Sequence, residues 1–364
     1  MSKILVAPAN FGLGHATRDI PIIRELLSRG HVVEIATGGS ALDLLKKEFP
    51  NLRYHVLPEY PQALQSADRI DRTEVIKEII KISKSFRKEN NVVASLVKKY
   101  KYDMIISDGR YGVYSKDVPS FIICHQLKFK SRSNFKGSAF ITEIFNDYYF
   151  RHFEKVIVPD NKKDSISLSG ELSRPKIPWF KKRVYYAGIL SSVNHIDSKK
   201  DIDILISISG PEPFRTDLEK MFMEKIYSLE KGLKKIIILG KPGMDGKYKL
   251  KDGTIVYNHA NRKTVSELFN RSKMIISRSG YTTIMELADL GFKKALFIPT
   301  PGSTEQEFLA DRYKKKKWVY SVSQEDINLT RDIIKAKKYP GLPIMPKTNE
   351  NVKKLYEEVF SHYL

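Results

Sequence analysis

Ser277-Arg278-Ser279-Gly280-Tyr281-Thr282-Thr283-Ile284-Met285-Glu286-Leu287 joins two different patterns. Just before it, Met274–Ser277 is a short apolar run of the kind that forms a buried parallel strand. After Gly280 the apolar positions recur at helical spacing, over about Thr282–Leu290. The stretch is therefore a strand–turn–helix unit. Ser279, Gly280 and the amides that open the helix make a site suited to a diphosphate. Outward from it, Ile204–Ile208, Ile236–Leu239, Ile255–Tyr257 and Ala295–Ile298 read as further strands. Helices are expected near Thr216–Tyr227, Thr264–Asn270 and Glu305–Tyr313. Such alternation predicts a doubly wound α/β domain.

The first half alternates in the same way. Ile4–Ala7, Val32–Ala36, Met104–Ser107 and Ser120–Cys124 read as buried strands. A helix is expected over Ala16–Ser28, with Gly30 as its stop, and a long amphipathic region runs from about Thr73 to Tyr100. A polar linker lies near Gly188–Asp201. The expectation is two Rossmann-like domains, 1–188 and 189–348, with a final helix at about 349–364 returning to the first. Two such sheets would leave a cleft at their carboxyl ends, where ligands bind in these folds.

Asn10-Phe11-Gly12-Leu13-Gly14-His15-Ala16-Thr17-Arg18 follows the first strand and opens the first helix. Gly12 and Gly14 permit a tight turn, but the run lacks the third glycine of a dinucleotide fingerprint and the Gly-Lys-Ser/Thr of a P-loop. His15 stands at the helix start, whose positive end disfavours imidazolium. A neutral imidazole there is either a general base for a hydroxyl or a loop-bracing cap. Asp108 ends the strand Met104–Ser107 and reaches the same sheet edge. It is either the partner of that base or a turn-forming Asp before Gly109.

In the second half, Pro299-Thr300-Pro301-Gly302-Ser303-Thr304-Glu305-Gln306 is a Pro/Gly loop leading into a polar helix start. Glu305 and Gln306 are candidates for sugar hydroxyls. Glu286 can accept hydrogen bonds from two ribose hydroxyls. Ser209-Gly210-Pro211 follows the first strand of the second domain and is a further phosphate-facing loop. Arg278 and the helix start would stabilise a leaving diphosphate in place of a metal. Asp201-Ile202-Asp203 is the one Asp-x-Asp pair, and it lies at the wrong end of its strand for that work. No Cys/His set has zinc spacing, and no Gly-x-Ser-x-Gly elbow supports acyl chemistry.

Charge and composition bound the partners. The 364 residues carry 63 Lys and Arg against 42 Asp and Glu, a formal net charge of +21, which favours polyanionic or phosphorylated partners or else reflects a solvated Lys-rich surface. The single cysteine, Cys124, excludes an internal disulfide and, lying in an apolar run, reads as core. No apolar run is long enough to span a membrane, and the start is too short for a signal peptide, so a cytoplasmic protein is expected. From Gln126 to Lys155, the basic residues Lys128, Lys130, Arg132 and Lys136 are followed by interleaved aromatics. That stretch is either a helix packing its aromatics on the sheet, or an anionic-membrane or lipid-phosphate face, or a nucleic-acid surface.

The segments Arg278 to Glu286 and Pro299 to Ala310, in this order and spacing, resemble the donor-site signature of family 28, MurG-like glycosyltransferases. The Gly12-Leu13-Gly14-His15-Ala16-Thr17-Arg18 loop is similar to that family's N-terminal glycine loop and to a group of predicted glycosyltransferases. The resemblance implies a GT-B fold and an inverting, metal-independent transfer from a UDP-sugar. No cofactor is implied beyond that co-substrate. It implies that Glu286 binds ribose, that Ser279, Gly280, Tyr281 and Thr282 bind the diphosphate, and that the loop Asn258–Lys263 holds the base. Glu305 stands where the family has His, and Phe292-Lys293 follow Gly291 where it has proline. Both departures bear on the donor sugar. A nucleotide-sugar epimerase of the same architecture and a non-catalytic binding subunit are the rival readings.

Overall fold

The computed structural model describes residues 1–10, 12–60, 75–129, 138–241 and 243–364. They divide into two compact units, Met1–Ser191 with Pro346–Leu364, and Ser192–Met345.

The first unit is built on seven strands: β1 (Lys3–Pro8), β2 (Val32–Thr37), β3 (Arg53–Val56), β4 (Met104–Asp108), β5 (Ser120–Ile123), β6 (Lys155–Val158) and β7 (Val184–Tyr186). Their order is β3-β2-β1-β4-β5-β6-β7, and every neighbouring pair is parallel. The helices are α1 (Gly14–Ser28), α2 (Gly39–Glu48), α3 (Val75–Tyr100), α4 (Ser138–Phe150) and the short α5 (Pro178–Arg183). The strands are apolar because both faces are covered: Ile4, Leu5, Val6 and Ala7 are fully buried, as are Met104, Ile105 and Ile106. Pro8 lies level with Asp108, so the carboxyl ends of β1 and β4 stand side by side. Strand order reverses between these two strands, which is the point where a doubly wound sheet opens a crevice for ligands.

The second unit has β8 (Ile204–Ser207), β9 (Lys235–Ile238), β10 (Lys247–Lys249), β11 (Ile255–Tyr257), β12 (Ile275–Ser277), β13 (Ala295–Phe297) and β14 (Tyr320–Ser321). The order is β10-β11-β9-β8-β12-β13-β14, parallel except for the antiparallel edge pair β10–β11. Its helices are α6 (Phe214–Lys225), α7 (Arg262–Arg271), α8 (Tyr281–Asp289), α9 (Thr304–Lys315) and α10 (Leu329–Lys337). Here the order reverses between β8 and β12, whose ends are level at Ser207 and Ser277.

The chain then returns to the first unit through α11 (Thr348–Glu358). Val352, Leu355 and Phe360 enter the core beside α1 and β1. The Asn351 side chain donates to the Ile189 carbonyl at 3.0 Å and lies against Gly188, where a β-carbon would stand 2.4 Å from it. Gly188 has φ +77°, so both its conformation and this contact call for glycine.

Candidate active site

In the first unit the glycine loop turns the chain from β1 into α1, with Gly12 at φ +83°. No side chain caps α1. His15, Arg18 and Asp19 share one helix face, three and four residues apart, and that face meets the end of β4. His15 Nδ1 lies 2.8 Å from Asp108 Oδ1. The Arg18 guanidinium grips the same carboxylate with two donors, Nε to Oδ2 at 2.5 Å and Nη2 to Oδ1. It also reaches His125 Nδ1 at 3.2 Å. Asp108 and Arg18 are buried, and the His15 side chain keeps 17% of its exposure.

Two contacts compete for His15 Nδ1. Arg18 Nη2 also stands 2.8 Å from it, but that donor already has Asp108 Oδ1 as its acceptor. A carboxylate outcompetes a neutral nitrogen for a cationic donor. The consistent arrangement has Nδ1–H donating to Asp108, which leaves the lone pair on Nε2, as a base requires.

Burial pushes the His15 pKa down and Asp108 pulls it up, but Arg18 pushes it down again, and the balance lies below the ordinary histidine value. For Asp108, burial acts upward, yet Arg18 and His15 hold it well below the usual carboxylate range. The imidazole is therefore neutral and the carboxylate ionised at pH 7. In the sequence His125 showed no sign of belonging to this cluster, and Arg18 showed only its place at the end of the glycine-loop motif, one turn after His15.

In the second unit the loops after β8 and β12 meet at the point of strand reversal. Gly280 precedes α8 with an ordinary φ of −71°, and no side chain caps this helix start. A β-carbon at Gly280 would meet nothing within 4 Å, so the turn into α8 is open on that side. Gly210 in the exposed Ser209-Gly210 loop faces Thr300, with a β-carbon 3.7 Å from its hydroxyl. The neighbouring Pro299–Gln306 loop is braced from within. Gln306 Oε1 accepts from the amide and the hydroxyl of Thr300, both at 3.0 Å, and Glu307 accepts from the Gly302 amide at 2.8 Å. Glu286 is buried and pairs with Arg262 at 2.5 Å. Asn258 meets Gly246 and Lys241 through its own backbone, and Asn261 caps α7.

Several sequence expectations change here. Arg278 does not face a diphosphate. It is buried, and its terminal nitrogens donate to the carbonyls of Phe214, Ile298 and Pro299 and to Gln324. Burial lowers its pKa to about 10, and its work is to tie four segments together. The Ser279 hydroxyl is likewise turned inward, to the Gln306 carbonyl at 2.8 Å, and the Tyr281 side chain is buried, so these two residues offer a ligand only backbone. Gln306 uses its amide oxygen on the loop itself. Glu305 and Thr282 remain partly exposed. Lys128 is buried, which removes it from any basic face, and Lys130, Arg132 and Lys136 lie outside the described residues. Asp201 and Asp203 pair with Lys234, Arg271 and Lys273. Among the described residues no group of three His, Cys, Asp or Glu could hold a metal.

Comparison with known proteins gives the same picture from another side. Residues 2–115 match the model of glycosyl transferase family 1, and residues 244–352 match the glycosyltransferase family 28 C-terminal domain. An uncharacterized glycosyltransferase of Methanosarcina mazei is 25% identical over 360 residues, covering 93% of this chain and 91% of that protein. Among solved structures, the glycotransferase of kitacinnamycin superposes with a TM-score of 0.64 at 12% identity, over 100% of this chain and 96% of that one. MurG of Acinetobacter baumannii gives 0.55 at 13%, over 98% and 99%. The spinosyn rhamnosyltransferase SpnG, complexed with thymidine diphosphate, gives 0.60 at 12%, over 99% and 96%.

Proposed function

We infer that this chain, which is a glycosyltransferase of the GT-B fold, is an inverting, metal-independent enzyme moving a hexose or N-acetylhexosamine from a UDP-sugar to an acceptor hydroxyl. The observation that carries this reading is the His15–Asp108 contact at 2.8 Å, placed where strand order reverses in the first unit. His15 Nε2 takes the acceptor proton as the hydroxyl oxygen attacks the anomeric carbon, and the nucleoside diphosphate leaves. Asp108 holds the ring and stabilises the imidazolium that forms. The second unit receives the diphosphate at the uncapped start of α8, where amides and the helix dipole favour negative charge. Glu286, oriented by Arg262, accepts from the ribose.

UDP is the preferred nucleotide on the resemblance of the Arg278–Ala310 segments, and thymidine diphosphate is the natural comparison because a structural neighbour carries it. A thermal-shift panel of nucleotide-sugars tests the donor, since a ligand that binds only the folded state raises its melting temperature. Transfer to an acceptor, unchanged by EDTA and giving the inverted anomer, is the expected result. Conversion of the nucleotide-sugar without an acceptor would make the chain an epimerase, and binding without turnover would make it a binding subunit.

A lipid-linked acceptor at an anionic membrane, on the inner face of a cell membrane, is supported by one face of the first unit. Phe140, Ile141, Ile144 and Tyr148 line the solvent side of α4, each about half exposed, and Trp179 is 64% exposed beside them. Trp179 is held there by a hydrogen bond to Asp147 at 2.9 Å. Arg151, Lys181 and Lys182 are exposed around this patch. Aromatic and aliphatic side chains ringed by cations suit a surface of anionic lipid. No helix of the described residues is long and apolar enough to cross a membrane.

A further inference from the structure

Asp19, on the same helix face as His15 and Arg18, has no part in the chemistry above. Its carboxyl is fully buried, and neither oxygen has a hydrogen-bond donor. The charged groups that act on it are Arg18, the preceding residue of its own helix, and Asp108 at the end of β4. The one strong cation among them is already used: Arg18 gives Nε and Nη2 to Asp108 and Nη1 to His125. As two carboxylates, Asp19 and Asp108 would meet acceptor to acceptor inside the protein. An unpaired buried carboxylate of that kind costs several kcal/mol and takes up a proton instead.

We propose that Asp19 is a neutral carboxylic acid at physiological pH and a positioning residue, donating its proton to the Asp108 carboxylate in a buried acid–carboxylate pair. With that proton the contact between the two groups becomes a hydrogen bond. Asp108 then receives donors from Arg18, His15 and Asp19, which fixes the oxygen that orients the imidazole. The carboxyl pair carries one negative charge, matched by one guanidinium, so the cluster is neutral while His15 is neutral. Burial, and after it the charge of Asp108, raises the Asp19 pKa well above its usual value. A raised acid stabilises the fold most below its unfolded pKa, and the contribution is lost as pH rises through the folded value. Alkaline solution therefore puts a second, uncompensated charge behind the base.

The inference rests on the reading of His15 and Asp108 as base and partner, and the test separates the two. The first arm is carbon-13 NMR of the full chain labelled at the Asp carboxyls. Wild type is expected to show one aspartyl carboxyl in the protonated range at pH 7, absent in Asp19→Asn. An Asp19 carboxyl in the ionised range at pH 7 in wild type overturns the proposal, and that measurement needs no variant and no turnover. The second arm is the pH–rate profile. Asp19→Asn keeps a neutral donor that cannot ionise, so its alkaline limb should move to higher pH than that of wild type. A loss of turnover on the order of 10²–10⁴-fold, as for removing a base, would mean that Asp19 acts as an ion, and the proposal fails. If His15→Ala turned over normally while the protonated carboxyl persisted, the base assignment alone would fall.

Discussion

The imidazole of His15 rests on the backbone of Gly109. A β-carbon at Gly109 would stand 2.7 Å from His15 Cε1 and 3.0 Å from Nδ1, and Gly109 has φ +71°. The residue after Asp108 is thus glycine for two reasons, one of conformation and one of contact. The ring is the movable partner, because it ends a side chain while Gly109 follows directly on the sheet. Gly109→Ala should therefore shift the base, with a cost in backbone strain of about 1–2 kcal/mol on top. Misplacing a reacting group by about 1 Å can cost on the order of 10²-fold. We expect turnover to fall by that order with nucleotide affinity unchanged, measured by steady-state transfer and by calorimetry with UDP. Normal turnover in this variant would show that the ring position does not matter to the chemistry.

His15→Ala should lower turnover by about 10²–10⁴-fold, the usual contribution of a positioned base. Asp108→Asn should slow it too, and should also weaken the fold. It leaves the buried Arg18 without its counter-charge, and removing one partner of such a pair costs about 3–5 kcal/mol. Denaturant melts distinguish this loss from the catalytic one. The base must be neutral to act, and its pKa is lowered, first by burial. The acid limb of kcat/KM should accordingly fall below about 6.5, the ordinary histidine value. A limb at or above that value would contradict the assignment.

The alternation of strands and helices was legible because strands covered on both faces are written as short apolar runs, such as Ile4–Ala7 and Ile204–Ile208. The edge strand β3 was not, since Arg53-Tyr54-His55-Val56 is half polar and lies at the margin of its sheet. β14 is two residues long, too short for any period to show, and β7, Val184-Tyr185-Tyr186, is an edge strand only partly buried. The site was legible in part. That His15 and Asp108 reach one sheet edge follows from strand ends alone. That Arg18 is buried and bound to Asp108 does not, because an arginine on a helix is written the same way whether it faces water or a carboxylate. Arg278 illustrates the converse error. A cation beside a glycine turn suggests an anion site, but its donors meet the carbonyls of neighbouring loops.

These donors define a stability prediction. Arg278→Ala takes a donor from the buried Ile298 carbonyl and from its partly buried neighbour at Pro299, and an unsatisfied buried group costs about 1–3 kcal/mol. The variant should melt at lower denaturant, whereas loss of donor binding with full stability would restore Arg278 to the ligand.

Glu286→Ala should weaken UDP binding by about 1–3 kcal/mol, the cost of hydrogen bonds to a charged group. The Arg262 pairing adds a control. Arg262→Ala removes the orienter and keeps the carboxylate, so its effect on affinity should be the smaller of the two. Calorimetric titration of UDP into each variant decides the matter, and unchanged affinity in Glu286→Ala would remove the ribose assignment.

The last prediction concerns the exposed face of α4. Because Lys128 is buried, the attraction to anionic lipid cannot run through it, and the apolar residues become the part to test. Replacing Phe140, Ile141 and Ile144 with serine removes three solvent-facing side chains from one side of the helix without touching Phe150, which is fully buried on the other. Fold and soluble-donor affinity should therefore survive. Apolar contact with lipid does not depend on salt, while each basic residue near an anionic surface contributes roughly 1 kcal/mol that salt screens. The serine variant should lose binding to vesicles of mixed zwitterionic and anionic lipid at both low and high salt. Lys181→Gln with Lys182→Gln should lose it in proportion to the anionic fraction and chiefly at low salt. Co-sedimentation with vesicles measures both. If wild type and serine variant partition equally at every salt concentration, the face does not meet a membrane, and the acceptor is to be sought in solution.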